Sequence, residues 1–390
     1  MSSSPTTPEE VLRFRAHFPS IRKGAVHLCN NSMSAVSDAF IAAHTAYVEE
    51  RLEHGATWHL AMPRHEELKA EFAAMIGARP HEIAVCYTAT QALGVLASCF
   101  DWKERPGIVF DDYSFPSTTY LWRAQEARGA MVRRVRARPG GGIDPADFDA
   151  VLDESVQLVA VAHVSYKSGH RLNLAEVGCR AHAHGALFVV DDYQCCGSRE
   201  IDVQALGIDV LVAGTVKFML GSPGVTLMYV REGLLEHLHP TITGWFAQRD
   251  PNEFQIETHD EDADASRFQI GTPAFPAIYD SLAGIRLLRS AGIGKVQAWI
   301  ETLTAYLFEQ LAAKGLVATT PRDPARRGPQ VSIRSLDAEG VVAALADQGI
   351  FASSRDGNIR TAWHYYNTPG DVERLIAALD DMRERMVTQA

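Results

Sequence analysis

The stretch from Phe188 to Val230 constrains the fold more than any other part of the chain. It holds three short apolar runs rich in β-branched residues, a pattern typical of buried parallel strands. The first run ends at Asp191, and a short helix is predicted to follow it. The second run extends from Val210 to Ala213. Lys217 comes just after the second run, in a loop flanked by glycine. Because open α/β sheets bind ligands at the carboxyl ends of their strands, we expect this carboxylate and this lysine to face one crevice.

A carboxylate and a lysine in one crevice suit catalysis by pyridoxal phosphate. A lysine amine forms a Schiff base with the aldehyde of this cofactor, and an acidic partner keeps the pyridine nitrogen protonated so that the ring accepts electrons. The pair on its own also has a second interpretation. Asp191 would then cap the turn that follows it, and Lys217 would be a solvated loop lysine.

The composition narrows the classes of partner. The chain has 390 residues and a formal net charge of −11, which argues against nucleic acid or an anionic membrane as a partner. Its six cysteines show no CxxC or other metal-ligand spacing, so no metal is predicted. The N-terminus lacks the basic and apolar segments of a signal peptide, and no apolar run approaches the roughly 20 residues of a transmembrane helix. We therefore expect a cytoplasmic protein.

Three further segments carry candidate binding groups. Thr88, Ala89 and Thr90 lie between a predicted strand and a predicted helix, where free N–H groups and the helix dipole attract an anion. These residues also fit a simple helix cap. Phe115 follows another buried strand and either stacks on a flat ligand or belongs to the core. Arg360 leaves the last predicted strand, and its guanidinium can hold a carboxylate or form a structural ion pair.

Several motifs resemble those of the class V aminotransferase family: V-D-x-x-Q, L-G-I-D, the lysine followed by G-x-P-G-V-x-L-M-Y-V, and R-x-x-x-x-Y-x-N-T. This group of fold-type I pyridoxal phosphate enzymes includes kynureninases, cysteine desulfurases and serine–glyoxylate aminotransferases. The resemblance extends from about Val26 to Arg385. It implies an α/β fold with a mainly parallel seven-stranded sheet in a large domain and a small C-terminal α/β domain. The expected divisions are an N-terminal arm (1–25), a large cofactor-binding domain (26–275) and the small domain (276–390).

The resemblance also implies roles for individual residues. Lys217 would hold the cofactor and, with Asp191, carry the catalysis. Trp245 and Thr272 would reach the cofactor phosphate of a partner subunit, so a homodimer with shared active sites is expected. The expected cofactor-binding residues are Ala89, Thr90, Phe115, Asp191, Gln194, Thr215, Lys217, Trp245 and Thr272. The expected substrate is a small amino acid, bound by Asn31, Arg360 and Arg355.

Departures from the family pattern bear on the reaction. Val216 stands where the family has a histidine or tyrosine on the cofactor phosphate, and Thr118 stands where kynureninases have an aspartate. These two residues and Gln194 argue against kynurenine itself as the substrate. Segment 349–359 contains no cysteine, so the persulfide chemistry of cysteine desulfurases is not expected.

The expected reaction is that of a kynureninase-like lyase, because segments 115–117, 166–169 and 244–245 resemble kynureninases. Such a lyase cleaves a C–S or C–C bond at Cβ of a small amino acid. An aminotransferase or epimerase of the same family is the alternative, and a noncatalytic relative that binds the cofactor or a partner protein is a third. A nicotinamide-dependent dehydrogenase is disfavoured because no G-x-G-x-x-G motif follows the early strands.

Overall fold

The fold is built on a seven-stranded sheet. A computed structural model describes residues 6–254 and 256–389. The strands in this part of the chain are β1 (Val26–His27), β2 (Ile83–Cys86), β3 (Gly107–Asp111), β4 (Met131–Val135), β5 (Val156–Ala162), β6 (Leu187–Asp191), β7 (Val210–Gly214), β8 (Thr226–Val230), β9 (Gln330–Arg334), β10 (Ile350–Phe351), β11 (Ser353–Arg355) and β12 (Asn358–Ala362). The large sheet has the order β2-β8-β7-β6-β5-β3-β4, and only β8 runs antiparallel to its neighbours. The expected mainly parallel seven-stranded sheet is confirmed.

Helices cover both faces of this sheet. They are α1 (Pro8–Arg15), α2 (Pro19–Arg22), α3 (Asp38–His54), α4 (Trp58–Ile76), α5 (Ala89–Ala97), α6 (Pro116–Ala124), α7 (Leu174–Ala183), α8 (Phe275–Ala291), α9 (Ile293–Ala313), α10 (Ala338–Asp347) and α11 (Pro369–Asp381). Residues of α4, α7 and α8 pack on one face, and residues of α5 and α6 pack on the other. The apolar, β-branched runs of β5 to β8 are buried because both of their faces are covered in this way. Among the described residues, no helix combines the length and apolar character needed to cross a membrane.

The carboxyl ends of the parallel strands meet at one edge of the sheet. β6 ends there at Asp191, and the loop after β7 brings Lys217 to the same edge. α5 begins shortly after β2, so the N-terminus of this helix also lies at that edge. The topology therefore gathers the groups that the sequence predicted would meet.

A second core joins the two ends of the chain. β9, β11 and β12 form an antiparallel sheet, and β10 pairs with β1. Val11 and Phe14 of the N-terminal segment pack in one hydrophobic cluster with residues of α9, α10 and α11. Arg15 adds a bidentate ion pair with the buried Asp371, at 2.7 and 3.0 Å. The N-terminal segment thus packs with the C-terminal core, while the domain limits given above stay a prediction.

Two expectations for local structure were wrong. Residues 192–209, between β6 and β7, form turns and not the expected short helix. Gly197 and Gly207 adopt positive φ angles of 97° and 62° in this segment, which turns a chain and interrupts a helix. The sequence also predicts a helix from Pro63 to Ile76, because a proline near the start is followed by apolar residues at helical spacing. α4 begins earlier, at Trp58, whose ring packs edge-on against Phe275 at 5.0 Å.

The helix α3 was not predicted. None of its 17 residues is buried, and Ala43 and Tyr47, which pack against the core, are only half-buried. The hydroxyl of Ser37 caps its N-terminus by accepting a hydrogen bond of 3.1 Å from the N–H of Phe40. The Ser37 cap and local helix propensity therefore fix where α3 begins, although none of its residues is fully buried.

Candidate active site

A cavity of about 320 Å³ opens at the carboxyl edge of the large sheet. This volume lies within the usual range of small-molecule sites. Asp191 and Lys217 are the charged side chains among the described residues that line it. The full lining consists of Thr88, Ala89, Thr90, Tyr113, Phe115, Ser117, Thr118, Ala162, Val164, Tyr166, Asp191, Tyr193, Gln194 and Lys217.

Asp191 is presented to the cavity by the end of β6. Its Oδ1 accepts a hydrogen bond of 3.0 Å from the backbone N–H of Tyr193. Burial raises the pKa of the Asp191 carboxyl to about 6, although this hydrogen bond and the nearby Lys217 act in the opposite direction. A carboxyl group with such a pKa is well suited to pair with a cation that enters the cavity.

Lys217 lies on the loop that follows β7. Its Nζ lies 4.7 Å from the centroid of the Tyr193 ring and has no hydrogen bond or ion pair with any described residue. Burial lowers the pKa of the amine to about 8, Asp191 opposes this shift, and Arg360 adds to it. An amine with this pKa reaches its nucleophilic free-base form close to neutral pH.

The backbone on both sides of Lys217 is held by distant parts of the chain. The N–H of Ser34 donates to the carbonyl of Val216 at 2.9 Å, and Nε2 of His364 donates to the carbonyl of Phe218 at 3.0 Å. Burial lowers the pKa of His364 to about 4, so the ring is neutral and carries its proton on the nitrogen that faces the carbonyl. Sequence reasoning missed this contact because residues 218 and 364 meet only through the tertiary fold.

The N-terminus of α5 borders the cavity. Thr88 caps this helix, and its Oγ1 accepts a hydrogen bond of 3.0 Å from the N–H of Gln91. Ala89 and Thr90 form the first helical positions and line the cavity. The first N–H groups of a helix have no acceptor within the helix and carry the positive end of its dipole. This wall therefore suits a phosphate group.

Phe115 and Gln194 line the cavity, as predicted. The Phe115 ring packs edge-on against Tyr166, with centroids 5.0 Å apart. Nε2 of Gln194 donates to the carbonyl of Asn31 at 3.3 Å. Asn31 itself is buried, and its Nδ2 donates to Oε1 of Gln330 at 2.7 Å. Asn31 therefore reaches the site through Gln194.

Arg360 and Arg355 lie beside the cavity but do not line it. Arg360 is buried and its Nη1 donates to the carbonyl of Tyr166 at 2.7 Å, while its Nε has no partner among the described residues. Burial, and after it the neighbouring Arg355, lower the pKa of Arg360 to about 10. Ser353 is the strand partner of Arg360, so Arg355, two residues further along β11, faces the same side of the small sheet. Two guanidinium groups on one face favour an anion between or above them.

The structure does not bring Thr215 to the cavity. Its side chain is fully buried, and its hydroxyl pairs with Ser281 Oγ at 2.7 Å and donates to the carbonyl of Ser222 at 3.0 Å. Side chains alternate along an extended chain, so Thr215 points to α8, on the opposite side from Gly214. The spacing of Thr215 from Lys217 suggested a cofactor ligand, but the alternation directs its hydroxyl elsewhere.

Trp245 and Thr272 also lie outside this cavity. Trp245 lines a separate cavity of about 650 Å³ together with Phe254 and Ile256. Thr272 is exposed, and its carbonyl accepts a hydrogen bond from the Tyr87 hydroxyl. Both residues are predicted to bind the cofactor of a partner subunit. Within one chain, neither of them lines the cavity that contains Lys217.

Tyr193 is a cavity residue that sequence reasoning missed. Its ring lies beneath the Lys217 amine and against the backbone of Gly214, where a methyl group would overlap the ring. Tyr193 lies in the turn after β6, so the local sequence does not show that its ring reaches Gly214. Gly214 is thus a position at which the close approach of another side chain requires glycine.

His163, Asp192 and Cys195 form a buried cluster behind the end of β6. Their potential ligand atoms lie within 4.8 Å of one another, a donor set that could hold a metal ion. Nδ1 of His163 is already hydrogen-bonded to Oδ1 of Asp192 at 2.7 Å. Burial alone would lower the pKa of His163, but Cys195 and Asp192 raise it to about 9, so the histidine and Asp192 form a buried ion pair. Sequence reasoning missed this cluster because His163 follows β5 whereas Asp192 and Cys195 follow β6.

The family model for class-V aminotransferases matches residues 30–375. The chain belongs to this family. An uncharacterized aminotransferase, YcbU of Bacillus subtilis, is 29% identical over 375 residues, covering 96% of this chain and 98% of the relative. A kynureninase of Geobacillus thermodenitrificans is 29% identical over 309 residues, covering 75% of this chain and 72% of the relative.

Solved structures share the fold of this class-V chain. A mutant of the enzyme C-DES, with glycine covalently linked to its pyridoxal phosphate cofactor, superposes with a TM-score of 0.86 at 21% identity. The match covers 94% of this chain and 99% of that structure. The fold-type I architecture expected from the sequence is confirmed.

Pyridoxal phosphate is the cofactor of this class-V family, and the cavity suits it. An amine with a lowered pKa and no hydrogen-bonded partner is available for the aldehyde, and a carboxyl group with a raised pKa is available for the ring nitrogen. A helix N-terminus for the phosphate and the Phe115 ring border the same space. These groups are the ones that the cofactor requires, brought together in one cavity.

The lowered pKa of Lys217 predicts how its reactivity depends on pH. A group with a pKa near 8 is protonated at pH 6 and mostly free base at pH 9, whereas an ordinary lysine stays protonated up to about pH 10. We expect pyridoxal phosphate plus cyanoborohydride to modify Lys217 with a rate that rises through pH 8. Peptide mass spectrometry measures the modification, and Lys103, an exposed lysine with a surface ion pair, is the internal comparison. Equal labelling of the two lysines at pH 7 would contradict the assignment.

Proposed function

We propose that this class-V enzyme is a pyridoxal phosphate-dependent lyase that cleaves a C–S or C–C bond at Cβ of a small amino acid. The observation that carries the proposal is the placement of Lys217 and Asp191 in one cavity with Phe115 and Tyr166, from the segments that resemble kynureninases. An aminotransferase is the second candidate. It is favoured by the 29% identity to the B. subtilis aminotransferase over nearly the full length of both chains.

Different residues of the cavity would have different roles in such a reaction. When bound, pyridoxal phosphate supplies an aldehyde for the substrate amine and a ring that accepts electrons from a bond broken at Cα. Lys217 would be the base that removes and returns the Cα proton, and its pKa of about 8 suits this role near neutral pH. Asp191 would accept a hydrogen bond from the protonated ring nitrogen, whose positive charge would favour the carboxylate form.

The substrate side of the site is assigned to Arg360, Arg355 and Asn31. Arg360 is buried and its Nε has no partner among the described residues, so a substrate carboxylate would satisfy it. Arg355 is exposed on the same face of the small sheet and is placed to attract a second anionic group. Asn31 holds Gln194 at the cavity wall through its carbonyl.

Product analysis distinguishes the two candidate reactions. The purified enzyme, loaded with pyridoxal phosphate, is incubated with single amino acids, including cysteine-type and acidic ones, without any keto acid. We expect pyruvate or alanine to be released in many turnovers, because a lyase regenerates its cofactor in each cycle. Lactate dehydrogenase with NADH detects the pyruvate. Conversion of the cofactor to its amine form after one turnover, reversed only by a keto acid, would instead identify an aminotransferase.

Kinetics of two arginine variants test the substrate side. In Arg360→Ala we expect kcat/KM to fall by an amount equivalent to about 2–4 kcal/mol, because a buried charge pair with the substrate carboxylate is lost. Arg355→Ala is the matched comparison on the same face of the sheet, and it should matter only for substrates with a second acidic group. If Arg360→Ala keeps wild-type kinetics on every substrate, this arginine does not bind the carboxylate.

A homodimer is part of the proposal. Ile41, Val48 and Leu52 lie along one side of α3 at helical spacing and are 47%, 44% and 82% exposed. Since none of the residues of α3 is buried within one chain, this apolar side is free to pack against a second copy. Such packing would also account for Trp245 and Thr272, which lie outside the Lys217 cavity of their own chain.

The dimer surface can be tested by one substitution. We expect Leu52→Glu to shift the protein from dimer to monomer, because a charge would be buried in the interface while the helix itself tolerates glutamate. Light scattering after size-exclusion chromatography measures the mass. Leu336→Glu is the control, since this leucine is 73% exposed at a distant turn. A Leu52→Glu variant that remains dimeric would place the interface elsewhere.

A further inference from the structure

Three neighbouring strand positions face α5 at the edge of the large sheet. Gly214 of β7 and Cys86 of β2 are both paired with Thr226 of β8. Paired residues point to the same face of a sheet. Cys86 belongs to the hydrophobic cluster that includes residues of α5, so this is the face on which α5 packs. The Gly214, Thr226 and Cys86 positions therefore lie below the first turn of that helix.

The Tyr193 ring fills the space that Gly214 leaves open. Its Cζ and hydroxyl are the atoms that a side chain at Gly214 would meet first. The phenol hydroxyl thus lies where the side chain of a larger residue at position 214, on the strand before Lys217, would project. It lies beside Thr226, whose hydroxyl moderates the rise that burial causes in the pKa of Tyr193. The raised pKa keeps the phenol neutral at physiological pH, so that it can donate a hydrogen bond.

The Thr226 hydroxyl reaches the cavity only through Tyr193. Its side chain is fully buried and does not line the cavity, and the Tyr193 hydroxyl is its polar neighbour. A buried hydroxyl is costly without a partner, so this contact favours a fixed orientation of the Tyr193 hydroxyl. The neighbouring Thr215 is instead satisfied within the core.

The cavity lining offers little positive charge for binding a phosphate. Lys217 is the only cation among the described residues that line it, and the cofactor aldehyde occupies that amine. The phosphate must then be held by neutral donors and by the helix dipole, a combination that binds anions in many proteins. Val216, which precedes the lysine, has an apolar side chain and cannot take part.

We propose that the hydroxyl of Tyr193, oriented by the adjoining hydroxyl of Thr226, binds the phosphate group of the cofactor together with the first turn of α5. This inference rests on the proposed function, since it assumes that pyridoxal phosphate occupies the cavity. It assigns to the Tyr193 hydroxyl a contact with the cofactor phosphate. Neither the apolar side chain of Val216 nor the core-facing hydroxyl of Thr215 provides that contact. Tyr193 is in this view a cofactor-binding residue that positions the ring between Asp191 and Lys217.

The test compares two ligands that differ only in the phosphate. Pyridoxamine 5′-phosphate and pyridoxamine lack the aldehyde, so neither forms a covalent bond with Lys217. Calorimetric titration of the cofactor-free protein gives both dissociation constants and their ratio. We expect Tyr193→Phe to weaken binding of the phosphorylated ligand by about 10- to 100-fold, the usual effect of losing a hydrogen bond to a charged group, and to leave pyridoxamine unaffected. Thr226→Val should change the ratio in the same direction.

Tyr166→Phe is the matched control. It also removes a phenol hydroxyl from the cavity lining, but on the side of Phe115, so the ratio of the two constants should stay at the wild-type value. An unchanged ratio in both Tyr193→Phe and Thr226→Val would overturn the inference, as would an equal loss of both ligands, which would indicate a packing role. Wild-type protein that binds neither ligand would refute the cofactor assignment itself, a failure that the variants alone cannot produce.

Discussion

Burial of an amine and a carboxyl group at one edge of a parallel sheet is the constraint on which the site depends. Desolvation disfavours both charged forms, so it lowers the pKa of Lys217 to about 8 and raises that of Asp191 to about 6. The partial compensation of each charge by the other limits the cost of keeping both in a cavity. An amine that loses its proton more readily than an ordinary lysine and a carboxyl that pairs with a cation are consequences of position. They follow from strand ends that deliver the two groups to one place.

The position of Lys217 in turn depends on residues from both ends of the chain. Ser34 holds the carbonyl before the lysine, and His364 holds the carbonyl after it. The segments that contain Ser34 and His364 adjoin the second core, in which the N-terminal helices pack with the C-terminal sheet. His364 also lies four residues after Arg360, so one short segment contacts both the lysine loop and the carbonyl of Tyr166. The position of Lys217 is therefore coupled to that of Arg360 through the backbone of this segment.

The sequence predicted those features that depend on local pattern. Buried strands are visible as apolar runs, and the residues at the ends of those runs, Asp191 and Lys217, were found because the carboxyl edge of such a sheet is known in advance. Thr215 was misjudged because spacing along the chain does not show which face a side chain takes at the end of a strand. α3 was missed because none of its residues is buried within one chain, and Tyr193 was missed because its contact with Gly214 forms only in the folded chain. Contacts between remote segments, such as that of His364, have no local signal.

The absence of a second cation from the described cavity wall is consistent with the electrostatics of the reacting pair. A lysine or arginine beside the phosphate would act on Lys217 and Asp191 at short range, in a medium where charges interact more strongly than in water. It would lower the pKa of both groups and thereby reduce the basicity of the amine. Neutral hydroxyls and a helix N-terminus bind an anion with a smaller effect on those values. Anion binding by Tyr193 and the N-terminus of α5 would therefore leave the pKa values of Asp191 and Lys217 determined mainly by burial and by each other.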